Sequence, residues 1–82
     1  MRGQQKSDID LYVIARIKAL RTERGISQAA LALRLEVSDA FVGQIESPRH
    51  VSKYSLDQLN RLAVIFECSP RDFLPEAPIA TR

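Results

Sequence analysis

An all-α domain of five short helices is what this sequence predicts, on three observations. Apolar residues return at three-, four- and seven-residue spacings, the period of one helical face: Val13, Ile14, Ile17 and Leu20, then Leu31 and Leu35, then Val42 and Ile45, then Leu59, Leu62, Ala63 and Phe66. Serines stand just ahead of these runs as candidate caps. Only three glycines, and no β-rich run, argue against a sheet. A chain of 82 residues allows one small domain, and its 45% hydrophobic content supports a folded one. A core of this size is marginal, so dense packing of Leu, Ile, Val and Ala is the expected solution.

Taken in order, residues 1–7 are polar and read as a flexible arm, with Arg2 and Lys6 its cations. The first helix is expected over 8–24. Ser7 or Asp8 can cap it, and Asp8 and Asp10 suit the positive end of its dipole. Arg16, Lys18 and Arg24 are expected mostly in solvent. Gly25 follows as a C-cap that tolerates the left-handed conformation, with Ile26 packing back into the core. The second helix is expected over 28–35, capped by Ser27, and the third over 39–46, capped by Ser38. Val37 sits between them, and Ala32 is small where the third helix must approach. Two short helices crossing steeply across a tight turn form a helix-turn-helix.

Residues 47–54, SPRHVSKY, form a loop. Pro48 stops the preceding helix, and Arg49, His50, Ser52, Lys53 and Tyr54 make this the most donor-rich stretch in the chain. The fourth helix spans 55–66, capped by Ser55, with Leu56 on the same face as Leu59, Leu62, Ala63 and Phe66. Residues 69–74 read as a short fifth helix: a serine cap, Pro70 in the first turn, Asp72, then Phe73 and Leu74 to close the core. Pro75 and Pro78 end regular structure. The organisation is thus an arm, 1–7, a domain, 8–74, and a tail, 75–82.

Several function classes find no support. The net charge of +2 and pI near 9.0 are weak arguments for an anionic partner, because distribution matters more than the sum. No apolar stretch has the ~18–20 residues of a membrane span, and MRGQQKSD lacks the apolar core of a secretory signal. The single Cys68 cannot form an internal disulfide, which fits a reducing compartment. His50 is the sole histidine and shares its neighbourhood with no Cys, Asp or Glu cluster. No phosphate loop, nucleophile elbow or spaced set of metal ligands is present. Neither an enzyme nor a cofactor is expected.

The segment SQAALALRLEVSDAFVGQIE, residues 27–46, resembles the helix-turn-helix of the lambda-repressor/Cro (XRE-type) family of DNA-binding domains. Gln28, Ala32, Val42, Ile45 and Glu46 match that pattern at the right spacing. The resemblance extends upstream through Ile17–Arg21 and downstream to about Leu74. It implies a compact five-helix lambda-repressor-like fold and double-stranded DNA as partner. It also implies a homodimer on two half-sites about one helical turn apart. A cytoplasmic protein of bacterial or phage type, associated with the nucleoid, is the expectation.

Residue by residue, the resemblance places Ser38, Asp39, Ala40 and Gln44 at the base-facing positions. Gln44 suits adenine N6 and N7, Ala40 a thymine methyl, and Ser38 a base edge or phosphate. Asp39 accepts only, so its partner is cytosine N4 or else the dipole of its own helix. Gln28, Arg49 and Lys53 are the expected phosphate contacts, and Arg2 and Lys6 offer a basic arm toward DNA against the plainer reading of a frayed terminus. Arg21 and Glu46 are expected to form a structural ion pair between the first and third helices. Phe41 is expected to pack partly toward the fourth helix.

Three departures from the family pattern stand out. The third helix has no Lys or Arg, Glu36 replaces a turn glycine, and Gly43 lies in mid-helix, where glycine costs nearly ~1 kcal/mol against alanine. The loop after the third helix is also about two residues longer than usual. The principal reading is a sequence-specific DNA-binding transcriptional regulator, in the sense of a repressor. The alternative is the same fold used as a protein–protein interaction module.

Overall fold

The computed structural model describes residues 6–80. Four α-helices follow in order: α1 (Asp8–Glu23), α2 (Gln28–Leu35), α3 (Asp39–Glu46) and α4 (Leu56–Phe66). A 3-10 helix, Pro70–Phe73, comes last, and no strand occurs among the described residues. None of these helices is long and apolar enough to cross a membrane.

Helix starts follow the serines. Ser7, rather than Asp8, caps α1: its hydroxyl accepts from Asp10 N–H, and the Asp10 carboxylate accepts from Ser7 N–H at 2.9 Å. Ser55 and Gln58 repeat this reciprocal arrangement at α4. Ser27 accepts from Ala30 N–H at 3.0 Å. Each such cap contributes about 1 kcal/mol by satisfying a donor that the helix cannot.

Three helix ends share one geometry. Gly25, Glu36 and Glu67 adopt left-handed backbone, with φ of 69°, 62° and 56°. At each, the following residue donates five positions back: Ile26 to Arg21, Val37 to Ala32 and Cys68 to Ala63, at 2.9–3.0 Å. This is the Schellman closure. Ile26, Val37 and Cys68 are all half-buried against the core, so each reversal also seats an apolar residue.

The core forms where all the elements meet. Ile17, Leu31, Ala32, Val42, Ile45, Leu62, Phe66 and Phe73 have no measurable exposure. Ala32 lets α3 sit directly on α2, and Phe73 meets the Phe66 ring edge-on at 6.4 Å between centroids. Arg24 lies over the outer face of Phe66, 5.4 Å from its centre, and Arg16 donates to the Asp72 carbonyl, so two cations expected mostly in solvent also tie the 3-10 segment and its neighbour to α1.

Three expectations need correcting. The fifth element is a single 3-10 turn, not an α-helix. Ser69 and Asp72 cap each other, but Leu74 is extended (φ −108°, ψ 151°) because it precedes Pro75, and a residue before proline is driven from the helical region. For the same reason Leu74 turns outward and is 41% exposed, leaving Phe73 alone to close the core. Leu56 lies at the first residue of α4, over a shallow cleft lined by Ile9, Val13, Tyr54, Leu59 and Leu74, and remains 83% exposed.

Left-handed backbone at a residue with a Cβ costs roughly 1–2 kcal/mol. Glu36 has only a long, exposed contact with Arg61 to offset it, at 4.0 Å. Glu36→Gly and Glu67→Gly are each expected to raise stability by about 0.5–1 kcal/mol, the gain being reduced by glycine's larger unfolded-state entropy. Urea unfolding of the two variants checks this; a fall in the midpoint for either would mean that the side chain, not the backbone, dominates there.

Candidate nucleic-acid interface

The helix-turn-helix comprises α2 and α3, and the two ends of α3 differ in kind. At its C-terminal end, Val42 and Ile45 face inward and the Glu46 side chain is only 4% exposed. A buried carboxylate is tolerated only when its oxygens are well satisfied. Here Arg21 donates through Nε to Oε2 and through Nη2 to Oε1, both at 2.9 Å, and its third nitrogen donates to the Ile26 carbonyl at 2.8 Å. The expected ion pair is present, bidentate and buried.

Gln28, at the start of α2, joins the same site. Its amide Nε2 donates to Glu46 Oε1 at 2.9 Å. A Cβ added to Gly43 would lie 3.1 Å from Gln28 Oε1, closer than most real contacts. Gly43 thereby has a structural reason: it makes room for the glutamine that crosses α3. An amide nitrogen carries two hydrogens, and this bond to Glu46 uses one of those on Gln28.

Lys6 also reaches this end of α3. Its ammonium donates to the Ile45 carbonyl at 2.6 Å and to the Ser47 carbonyl at 2.9 Å. Of the cations assigned to a basic arm, Lys6 is therefore engaged within the fold, whereas Arg2 lies outside the described residues. Burial pushes the Lys6 ammonium below the ordinary lysine range, with the Asp10 charge opposing.

The N-terminal end of α3 is open. Ser38, Asp39 and Ala40 are exposed, and Gln44, one turn on, is half-buried, as is Phe41. Ser38 occupies the cap position in extended backbone, yet its hydroxyl makes no capping hydrogen bond, unlike Ser7, Ser27, Ser55 and Ser69. The expected Ser38 cap is thus positional only. Of the first-turn donors of α3, the Phe41 N–H returns to the Ser38 carbonyl at 3.0 Å, and the Ser38 side chain caps none of them.

In the loop that follows, Arg49 is exposed, and its side chain makes no hydrogen bond or salt bridge among the described residues. Lys53 pairs with Asp10 at 3.1 Å, the lysine side chain 55% exposed and the carboxylate side chain 18% exposed. Asp10 is desolvated, which raises its pKa, but the Ser7 N–H, the Lys53 ammonium and the Ser7 hydroxyl together hold it below the usual range. Tyr54 is directed inward; its hydroxyl is buried without a partner among the described residues. Burial pushes that phenol's pKa up, the nearby Glu46 charge adds to this, and Arg21 opposes it.

No group of three or more His, Cys, Asp or Glu able to hold a metal occurs among the described residues. The Gln28–Glu46 bond, the reason for Gly43 and the Lys6 contact went unread in the sequence. The first two are implicit in the Gln28…Gly43…Glu46 spacing, but Lys6 carries no local signal of its target.

Two substitutions separate the paired from the orphaned polar groups. Arg21→Ala should cost about 3–5 kcal/mol, because it leaves Glu46 buried with only Gln28 for company. Tyr54→Phe should cost nothing, or stabilise by about 1 kcal/mol, because it removes a desolvated hydroxyl that has no partner among the described residues. Thermal and urea melts of both variants decide; an Arg21→Ala protein as stable as its parent would refute the burial argument.

Comparison with known proteins agrees with this architecture. The helix-turn-helix family HTH_3 matches residues 17–73, well over half of the chain. A 35-residue stretch is 57% identical to the HTH-type transcriptional regulator RamB of Mycobacterium tuberculosis, covering 43% of this chain but only 7% of that regulator. An HTH_3 family transcriptional regulator from Vibrio cholerae superposes with a TM-score of 0.65 at 34% identity, over 79% of this chain and 35% of that one. The restriction-modification controller protein C.AhdI from Aeromonas hydrophila does so with a TM-score of 0.65 at 32% identity, over 79% of this chain and 97% of its own. The chain belongs to the HTH_3 family of XRE-type helix-turn-helix domains.

Proposed function

We propose that this protein is a sequence-specific, double-stranded-DNA-binding transcriptional regulator, acting as a repressor, that inserts the N-terminal end of α3 into the major groove. The observation that carries the reading is the asymmetry of α3: its C-terminal end is locked, while Ser38, Asp39 and Ala40 are presented and Gln44 remains accessible one turn behind them. The names of the regulators that it resembles support the same reading.

In this docking Gln44 reads adenine, Ala40 meets a thymine methyl, Ser38 takes a base edge or phosphate, and Asp39 takes cytosine N4. The Gln28 end of α2, Arg49 and Lys53 hold the phosphate backbone and fix the register. One such module buries limited DNA surface, so two copies related by a two-fold axis bind half-sites about one helical turn apart. The competing reading, a protein-interaction module, draws on the absence of any Lys or Arg from α3.

The test is selection from a randomised duplex pool at two salt concentrations. Enrichment of a pseudo-palindrome with steep salt dependence is expected. A folded protein that enriches nothing would instead be the interaction module. On the selected duplex, Gln44→Ala should weaken binding by about 1–3 kcal/mol while leaving random duplex unaffected. Arg49→Ala should weaken both alike and reduce the salt slope by about one. A Gln44→Ala variant with its sequence preference intact would overturn the docking.

A further inference from the structure

The last carbonyls of a helix have no partner within it and carry the negative end of its dipole. In α3 that end lacks the left-handed closure found at the ends of α1, α2 and α4, and its backbone cap is the Ser47 N–H donating to the Gln44 carbonyl. The helix has no basic residue in its last turn, and its final residue is Glu46, an anion at the wrong pole. Arg21 and Gln28 answer the carboxylate, but neither reaches the backbone carbonyls of α3. Lys6 does: a single ammonium bridges the Ile45 and Ser47 carbonyls from 39 and 41 positions upstream. Lys6, just ahead of α1, therefore lands on the C-terminus of the helix that faces DNA in the proposed docking.

We propose that Lys6 is a positioning residue for DNA recognition, which fixes the C-terminal end of α3 and so sets where Ser38, Asp39, Ala40 and Gln44 lie in the groove. The inference rests on the regulator reading above. An eight-residue helix is about 12 Å long and too short to be stable or oriented by itself. Its direction is set by what holds it. Val42 and Ile45 anchor one face, Arg21 grips Glu46 from the last turn of α1, and Lys6 grips the backbone from just before the first turn of α1. Loss of Lys6 removes the grip on the backbone and leaves the last turn of α3 held through Val42, Ile45 and the Glu46 carboxylate alone. Lys6 is not itself a DNA ligand: its ammonium is committed to two carbonyls at the end of α3 opposite the one presented.

The test compares Lys6→Ala, Lys6→Gln and Lys6→Arg with the parent on the selected duplex and on random duplex, across salt, at a temperature where all four are folded. Lys6→Ala and Lys6→Gln should lose about tenfold on the selected duplex, the scale of one good base contact. Random duplex should change little, the salt slope should stay the same, and Lys6→Arg should restore much of the preference. Amide exchange without DNA should quicken in the last turn of α3 in Lys6→Ala, with α2 and α4 unchanged. Equal losses on both duplexes with a slope lower by about one would make Lys6 a phosphate contact and overturn the proposal. A lower melting temperature with the duplex preference intact would reduce Lys6 to a structural role and also overturn it. If the parent selects no duplex, the regulator reading and the recognition role fall together, while the exchange pattern separately shows whether Lys6 holds α3.

Discussion

Glu46 sits at the negative pole of α3 with its side chain buried, and each of those facts alone would disfavour it. Arg21 meets both of its oxygens in a fork geometry that only a guanidinium offers. Such a pair need not add net stability, since an apolar substitute would escape the desolvation penalty. What it adds is position. Through Glu46, the last turn of α1, the first residue of α2 and the last residue of α3 are brought to one point. The relative placement of the two helices of the motif is then not left to apolar packing, which tolerates sliding between surfaces of similar shape.

The same point explains features that otherwise look like defects. Glycine in mid-helix weakens α3, yet an alanine at position 43 would crowd the Gln28 amide that completes the coordination of Glu46. The Tyr54 hydroxyl is buried near this pair and has no partner among the described residues, so it is a polar group of the cluster whose presence the described contacts do not reward.

How much of this was legible in the sequence depends on whether the determinant is local. The starts of α1, α2 and α4 were, because each serine and the N–H it accepts lie within three residues, whereas Ser38 marks the start of α3 without accepting one. The apolar stripes were, because the period is set by helical geometry, and the Arg21–Glu46 pair was, through its resemblance to a family pattern. Gly25 announced a left-handed reversal, but Glu67 performs the same reversal without any signal, since the gain from seating Cys68 on the core comes from tertiary structure. Leu74 and Leu56 failed as core residues for opposite reasons: one is turned out by the proline that follows it, and the other keeps its stripe but overhangs the packed region. Lys6 was out of reach altogether. A lysine in a polar leader looks the same whether it faces solvent or a carbonyl 39 residues away.

On the proposed reading, the absence of Lys and Arg from α3 and the care taken over its C-terminus are connected. Attraction to phosphate then comes from outside the helix, from Arg49, Lys53 and the start of α2, and it is indifferent to sequence. Discrimination is left to small or neutral groups, a serine hydroxyl, an alanine methyl and a glutamine amide, each of which distinguishes bases only at hydrogen-bond or van der Waals distance. Contacts of that kind lose their selectivity if the helix wanders by an ångström, whereas a flexible cation would simply follow its phosphate. A recognition helix with no cation of its own must therefore be held more firmly than one that carries them. Two cations and an amide converging on the last turn of α3, with Ser38 left uncapped at the first, are what that requirement looks like in side chains.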